Sequence, residues 1–324
     1  MILLADSGST KVHWCLVTAS GQCSDVFTDG IHPLFQTSDA MRNSISNQLL
    51  PQIAPLLWAG TLTHVFFYGA GCTPEKKVFV QKALEGIFKK AEVHVESDML
   101  GAARGLLGLR AGVACILGTG SGSCFYNGEN IEWCVPSLGY ILGDEGSAAV
   151  LGKRLVGDLL KNQLDPITND QSPITNNQSP ITNLKDLFFE EYHTSMADII
   201  EKVYRQPFPN RFLAKLSKFC ADHIDDKRIR DLVYDHFVQF IRRNLVQYFN
   251  PITRNEVNRA LAAENHQSPI TNTTGVGFVG SIAYYYRPIL EEAMQAEGLP
   301  LGTVLQDPIE GLKHYHQDSI TPTM

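Results

Sequence analysis

The sequence lacks the features of membrane, secreted and nucleic-acid-binding proteins. No apolar run reaches the roughly 20 residues of a transmembrane helix. The first residues lack the basic start and long apolar stretch of a secretory signal. Lys and Arg are not clustered, and the net charge of −7 opposes non-specific binding to phosphate backbones. We therefore expect a cytoplasmic protein with neither a membrane nor a nucleic-acid partner.

Two common site types are also missing. The seven cysteines include no Cys-x-x-Cys pair, so neither a zinc knuckle nor a disulfide framework is indicated, and we expect reduced thiols. The phosphate loop G-x-x-x-x-G-K-S/T is absent. Residues 275–280 match G-x-G-x-x-G, but too few residues follow for a dinucleotide-binding unit, and we regard this match as coincidental.

The 324 residues, 44% of them hydrophobic, suffice for about two domains. Short apolar runs separated by turn residues predict three antiparallel strands over residues 2–27. Residues 112–135 repeat this pattern, which predicts two similar α/β halves. Further predicted elements are helices over 39–57 and 74–90 and strands over 63–68 and 93–96. Apolar residues at 233, 237, 241, 245 and 249 predict a core-facing helix.

A repeated segment interrupts the second half. DPITN is followed by two copies of QSPITN, and their prolines stand at 166, 173 and 180, which excludes a helix or coiled coil. Another copy of QSPITN occupies 267–272. We expect surface inserts without a catalytic role at 165–183 and 264–274, since polar loops add little closure cost.

Two glycine-rich segments follow predicted strands, at 5–11 (ADSGSTK) and 118–122 (GTGSG). Small residues allow backbone amides to wrap a phosphate. A plain hairpin turn has the same composition. The residues alone therefore leave both interpretations open for each segment.

Five segments together resemble the BadF/BcrA-type ATPase family, and within it the N-acetylglucosamine kinase branch. They are ADSGSTK, the Asp in ESDMLGAARG, LGTGSGS, GYILGDEGSAAVLGKRL and GFVGSIA. The most specific feature is GDEGS at 143–147 after LGTGS at 117–121. The resemblance covers nearly the whole chain apart from the QSPITN inserts.

This resemblance implies an α/β fold of two duplicated actin-like ATPase (ribonuclease H-like) domains around a cleft for ATP and sugar. The N-terminal domain would span 1–109, with 304–324 packing back on it, and the C-terminal domain 110–303. The implied activity is transfer of a phosphoryl group from ATP to the 6-hydroxyl of N-acetylglucosamine. The implied cofactors are ATP and Mg²⁺, and the implied assembly is a homodimer.

The resemblance also assigns roles to residues. Asp98 would be the general base, although Ser97 or Asp98 could instead cap the following helix. Asp6 would hold Mg²⁺ through water. The phosphates would lie against Gly8, Ser9, Thr10, Lys11, Gly118, Thr119, Gly120 and Ser121. The adenine would approach Gly277, Gly280 and Ser281, where close helix–strand packing would equally require glycine.

The sugar would contact His32, Asp98, Thr119, Ser137, Leu138, Gly139 and Asp144. Relatives commonly carry Asn at the position of His32 and often an aromatic residue at that of Leu138. A neutral imidazole offers one donor and one acceptor, unlike a carboxamide. The exact sugar is therefore open. Asp144 and Glu145 also stand at a predicted helix start, where the dipole alone favours acidic residues.

Two other functions fit the same superfold. One is the ATPase that activates a 2-hydroxyacyl-CoA dehydratase or benzoyl-CoA reductase. Such an activator holds an iron–sulfur cluster through cysteines, but Cys115 and Cys124 have no convincing cluster spacing. The other is a non-catalytic sugar sensor, which only the residue at His32 suggests. His314 and His316 have no third ligand in sight, so a metal site there is not favoured.

Overall fold

The computed structural model describes residues 1–8, 10–58, 60–165, 183–250, 255 and 274–317. Two five-stranded sheets share one topology, with strand orders β3-β2-β1-β4-β5 and β8-β7-β6-β9-β10. In each, an antiparallel meander of three strands is followed by two strands parallel to its first strand. The predicted α/β fold with two duplicated halves is confirmed.

The strands of the first sheet are β1 (Ile2–Ser7), β2 (Lys11–Val17), β3 (Cys23–Asp29), β4 (His64–Gly69) and β5 (Glu92–Ser97). Those of the second are β6 (Gly112–Leu117), β7 (Ser121–Tyr126), β8 (Ile131–Val135), β9 (Val276–Val279) and β10 (Leu301–Leu305).

The helices before the second sheet are α1 (Ser38–Gln48), α2 (Leu50–Leu57), α3 (Lys77–Ile87) and α4 (Asp98–Leu107). Those between β8 and β9 are α5 (Gly139–Leu142), α6 (Ala148–Leu160), α7 (Leu184–Glu191), α8 (Met196–Tyr204), α9 (Pro209–Leu216), α10 (Lys218–Asp222), α11 (Lys227–Phe240) and α12 (Val246–Phe249). A π-helical segment, Ile241–Leu245, joins the last two. The remaining helices are α13 (Ser281–Tyr285), α14 (Arg287–Ala296) and α15 (Ile309–Tyr315).

Two helices form the layer between the sheets. Leu106 of α4 packs on the second sheet, and Leu312 of α15 packs on the first. The helices cross at Gly105 and Gly311, where a Cβ on Gly311 would lie 1.8 Å from the Gly105 carbonyl oxygen. Only glycine at both positions permits this backbone contact.

The expectation of reduced thiols is wrong for one pair. Cys15 and Cys23 form a disulfide between neighbouring strands β2 and β3. Their Cα atoms are 6.0 Å apart, a normal bridging distance, because both side chains lie on one face of the sheet. The other five cysteines are free.

The predicted inserts lie almost wholly outside the described residues, so their character stays a prediction. The flanks of the first one do meet in the structure. Asp165 accepts hydrogen bonds from the backbone N–H groups of Leu184 at 3.0 Å and Lys185 at 3.1 Å, and it pairs with Arg228. Asp165 thus joins the two ends of the insert at the start of α7.

Within the described part of the chain, no helix is both long and apolar enough to span a membrane. The two histidines near the end of α15 do not act together. His316 is buried and bonds Tyr68 Oη at 2.8 Å, whereas His314 is 76% exposed.

Candidate active site

The first glycine-rich segment is the hairpin between β1 and β2. The Gly8 N–H donates to the Lys11 carbonyl at 3.0 Å, and the Gly30 N–H donates to the Thr10 carbonyl at 3.0 Å. Gly8, Thr10 and Lys11 are exposed, so the turn faces away from the core. Ser9 lies outside the described residues.

Three carboxylates converge behind this hairpin. Asp6 lies near the end of β1, Asp98 follows β5, and Asp307 follows β10. Burial, with repulsion from Asp98 and Asp307, raises the pKa of Asp6 to about 7. His13 partly offsets this repulsion: its Nε2 lies 2.9 Å from Asp25 Oδ1, and its Nδ1 lies 3.5 Å from Asp307 Oδ2. In the described residues the oxygens of these three side chains do not all lie within 4.8 Å of one another, so they do not form a direct ligand set. Carboxylates that repel one another across a shared space still suit a hydrated divalent cation.

The capping alternative for Asp98 is resolved by the start of α4. Ser97 is the N-cap residue, and its hydroxyl accepts a hydrogen bond from the Leu100 N–H at 3.2 Å. Asp98 is the first helical residue, and its carboxylate accepts from the Met99 N–H at 2.9 Å and from its own backbone N–H. Burial raises the pKa of Asp98 to about 6, although backbone N–H groups oppose the shift. The cap therefore does not account for Asp98.

The second glycine-rich segment is the hairpin between β6 and β7, and it packs on the start of α6. The Gly118 N–H donates to the Gly120 carbonyl at 3.0 Å. The Ala148 and Ala149 N–H groups donate to the Gly118 and Thr119 carbonyls at 2.8 and 3.2 Å. This hairpin and the GDEGS segment are thus one hydrogen-bonded unit.

Asp144 contacts the second hairpin. The Ser121 N–H donates to its carboxylate, and a Cβ on Gly120 would lie 3.2 Å from Asp144 Oδ2. Burial raises the pKa of Asp144 to about 6. Its φ of 54° is left-handed, as is that of Leu138 at 63°. Such backbone costs about 1–3 kcal/mol for each non-glycine residue and is concentrated at functional sites.

The segment 137–144 closes on itself beside this carboxylate. The Asp144 N–H donates to the Ser137 carbonyl at 2.8 Å. A Cβ on Gly122 would lie 3.4 Å from Ser137 Oγ and 3.5 Å from Met99 Sδ. Ser137 Oγ and the side chain of Met99, the residue after Asp98, therefore both lie beside Gly122 at the start of β7. Leu138 is exposed there, next to Gly139.

Sequence reasoning missed the residues that support this loop. Glu145 Oε1 pairs with Arg243 Nε at 2.7 Å, so its carboxylate is engaged by the π-helical segment. The buried His236 bonds the Ser147 carbonyl at 3.0 Å, and Phe240 packs against Gly146. All three partners come from one helical stretch, 236–243, whose apolar stripe predicts a helix but does not mark these residues as part of the site.

Glycine is required at the two positions of GFVGS for different reasons. Gly277 packs against Leu106 of α4, and a Cβ added at Gly277 would lie 3.3 Å from the leucine side chain. Close packing explains this glycine. Gly280 has a φ of 120°, and a Cβ there would lie 2.4 Å from the Leu117 carbonyl oxygen. Gly280 and the exposed Ser281 therefore lie directly against the second hairpin.

His32 lies over the turn that follows β4. A Cβ on Gly71 would lie 2.4 Å from its Cε1. Burial and the nearby Arg211 lower the pKa of His32, so the ring is neutral near pH 7. Its Nδ1 accepts from the Leu34 N–H at 3.4 Å, which leaves the other ring nitrogen as the donor.

The comparisons place this architecture among known proteins. A putative N-acetylglucosamine kinase from Porphyromonas gingivalis is 40% identical, with a TM-score of 0.82, over 98% of this chain and 99% of that one. A putative N-acetylglucosamine kinase from Chromobacterium violaceum, at 16% identity and a TM-score of 0.62, covers 97% and 98%. It shares the fold.

The ethanolamine utilization protein EutJ from Carboxydothermus hydrogenoformans, at 12% identity and a TM-score of 0.50, also shares the fold, over 95% of this chain and 86% of that one. No protein-family model and no curated protein matches the chain. The fold of two duplicated actin-like domains is thus confirmed. With 40% identity over nearly its whole length, the chain belongs to the family of N-acetylglucosamine kinase-like proteins.

Proposed function

We propose that the chain is an ATP-dependent sugar kinase that phosphorylates the 6-hydroxyl of N-acetylglucosamine. The observation that supports the proposal most is the placement of the Asp98 carboxylate. This carboxylate lies at the end of β5 without a capping duty, and burial raises its pKa to about 6. A base with a pKa just below neutral is ionised at pH 7 and still accepts a proton readily. The 40% identity to a protein named for this activity supports the choice of sugar.

In the proposed reaction, Asp98 accepts the proton of the 6-hydroxyl as its oxygen attacks the γ-phosphorus. One O–P bond forms, the bond to the β-phosphate oxygen breaks, and ADP leaves with the electron pair. The small residues of the two hairpins, Gly8 to Lys11 and Gly118 to Ser121, would line the phosphates, because their lack of bulk lets the main chain come close. Lys11 would add a positive charge.

The carboxylates fit a divalent cation. Asp6 would hold Mg²⁺ through water, with Asp307 on the same side of the site. When bound, this ion spreads the negative charge of the transferring phosphate. His13 would keep Asp307 oriented, since it bridges Asp25 and Asp307.

The sugar would lie between the two domains. His32 on the first domain and Asp144 on the second would bond its hydroxyls, and Thr119, Ser137 and Gly139 would form the adjoining wall with Leu138. Asp144 fits this role because its half-buried carboxylate lies beside the second hairpin, where the Ser121 N–H orients it. The homodimer and the cytoplasmic location remain predictions.

The activator ATPase is the weaker alternative on geometric grounds. Cys115 lies in the core on one face of the second sheet, and Cys124 lies in the α4 layer on the other face. These two thiols therefore cannot share an iron–sulfur cluster within the chain. A colourless purified protein is the expected result.

The test is ADP release with Mg²⁺ and ATP across N-acetylglucosamine, glucosamine, N-acetylmuramic acid, N-acetylmannosamine and glucose. Wild type and Asp98→Asn are compared side by side. We expect release that depends on N-acetylglucosamine and collapses in the variant. Sugar-independent release would favour the activator ATPase, and sugar binding without release would favour the sensor.

A further inference from the structure

A cavity of about 480 Å³ lies at the crossing of α4 and α15. It is separate from the proposed active site. Asp98 begins α4, whereas the cavity lies beside its last turn and the following loop, residues 104–110. At 1.5 Å per helical residue, the α4 residues that line the cavity, Arg104 to Leu107, lie about 9–14 Å along the helix from Asp98. Cavities of this volume accept small metabolites.

The cavity is basic. Arg104, Arg110 and His314 line it, together with Tyr315 and Gln317, and none of its lining residues among those the structure describes is Asp or Glu. Within the described ranges, neither arginine has a carboxylate oxygen within ion-pair distance. The nearest acid to His314 is Glu310 at 3.9 Å, and Glu310 already pairs with Lys313.

Arg104 is held in place, but one of its hydrogen-bond donors has no partner. Its Nη1 donates to Tyr68 Oη at 3.1 Å, and its guanidinium carbon lies 4.9 Å from the centre of the Tyr315 ring. Its Nε is buried without a hydrogen-bond partner. This donor is enclosed by the protein, so a ligand in the cavity would meet the charge of the guanidinium rather than Nε. The guanidinium is held in one orientation at the cavity, and a positive charge fixed in this way favours an anion.

The position of the cavity links it to domain movement. α4 packs on the second sheet and α15 on the first, and the two helices touch at Gly105 and Gly311, which both line the cavity. A rotation of one domain against the other must change the geometry at this crossing. A ligand held by both helices would favour one interdomain angle over others.

We propose that this cavity is a regulatory site for a small organic phosphate of sugar-phosphate size, whose binding shifts the affinity of the cleft for nucleotide. Arg104 and Arg110 would hold the phosphate, and Tyr315 and Gln317 would contact the rest of the molecule. The link to nucleotide rests on the proposed function, whereas the binding site itself does not.

Calorimetry on the full chain tests the binding site. The probes are glucose 6-phosphate, inorganic phosphate and citrate, each titrated with the cleft blocked by saturating ADP, Mg²⁺ and sugar. We expect glucose 6-phosphate to bind, and Arg110→Gln with His314→Gln to weaken it about tenfold, as the loss of charge-assisted hydrogen bonds implies. Lys202→Gln removes a distant charge and is the matched control.

Arg104→Gln is a second variant with the same expected loss, kept separate because its contact with Tyr68 also serves packing. Equal affinities in wild type and the Arg110/His314 double variant would overturn the site. So would tighter binding of citrate than of glucose 6-phosphate, or an equal loss in Lys202→Gln. None of these measurements needs turnover, so a failure of the proposed kinase activity would be recognised separately.

The regulatory part is tested by the affinity for ADP with and without glucose 6-phosphate. Coupling between two sites is reciprocal, so each ligand must change the affinity of the other by the same factor. We expect a change of about fivefold or more in wild type, within the usual range of such couplings, and none in the Arg110/His314 double variant. An unchanged affinity for ADP in wild type would refute the regulation.

Discussion

The pH dependence of turnover tests the role of Asp98. Burial raises the pKa of this carboxyl from 3.8 to about 6. The fraction ionised then falls from about nine-tenths at pH 7 to about one-tenth at pH 5. A general base must be ionised to accept a proton. We therefore expect kcat to fall about eightfold to tenfold from pH 7 to pH 5.

The size of this fall in kcat shows whether the pKa of Asp98 is raised or has its ordinary value. With the ordinary pKa of 3.8, the carboxyl would stay over nine-tenths ionised at pH 5, and kcat would hardly change. The assay is ADP release at saturating N-acetylglucosamine, ATP and Mg²⁺, so that the cation keeps Asp6 ionised. Asp144, whose pKa is also raised to about 6, is controlled by the profile of Asp144→Asn.

Two variants complete the test. Asp98→Asn should lower kcat by about 10²–10⁴-fold and remove the inflection near pH 6. Ser97→Ala removes the cap of α4 and should reduce stability by about 1 kcal/mol while the inflection persists. A flat wild-type profile, or an inflection that survives in Asp98→Asn, would refute the assignment of Asp98 as the base.

Four further predictions follow from the structure. His32→Asn should change the KM for the sugar by the equivalent of one hydrogen bond, about 0.5–1.5 kcal/mol of binding free energy. An unchanged KM would place His32 outside the sugar site. Burial lowers the pKa of His316 to about 3 from 6.5. The stability from its neutral ring is present above pH 6.5 and is lost as pH falls toward 3, so urea unfolding at pH 6.5 and 5 should show a loss of roughly 2 kcal/mol that His316→Phe lacks. Gly280→Ala should lower the free energy of unfolding by at least about 1–3 kcal/mol, because its Cβ would meet a carbonyl, whereas Gly157→Ala in open space should raise it slightly. Deletion of 166–182, which leaves Asp165 at the start of α7, should keep kcat/KM within about twofold, and a larger loss would give the insert a function.

Local patterns predicted the sheets well because strand and turn signals are short-range. The runs over 2–27 became β1, β2 and β3, and those over 112–135 became β6, β7 and β8. The single helix predicted over 39–57 is two helices, broken at Leu49. Pro51 explains the break, since it lacks the N–H that would continue α1. That signal was present in the sequence.

Some residues of the candidate site could be predicted from local sequence, and others could not. Asp6, Asp98 and Asp144 stand in motifs, so the sequence marks them. Asp307 joins Asp6 only because the chain returns after β10 to the first sheet, and no motif surrounds it. His13 is likewise one residue in an ordinary strand. A contact across 300 residues of chain depends on the tertiary fold, which local spacing does not encode.

The π-helical segment is a feature that the sequence did encode. Five apolar residues recur every four positions from Val233 to Phe249. In an α-helix of 3.6 residues per turn, each step of four drifts by about 40°, so the stripe would leave the core after two or three steps. A wider turn with i→i+5 bonds offsets part of that drift, and Ile241–Leu245 supplies such a turn in the middle of the stripe. Phe237, Ile241 and Leu245 thereby stay buried, and Arg243 reaches Glu145. The period of four therefore has a consequence for the site: it sets the rotation that places this helix under the GDEGS loop.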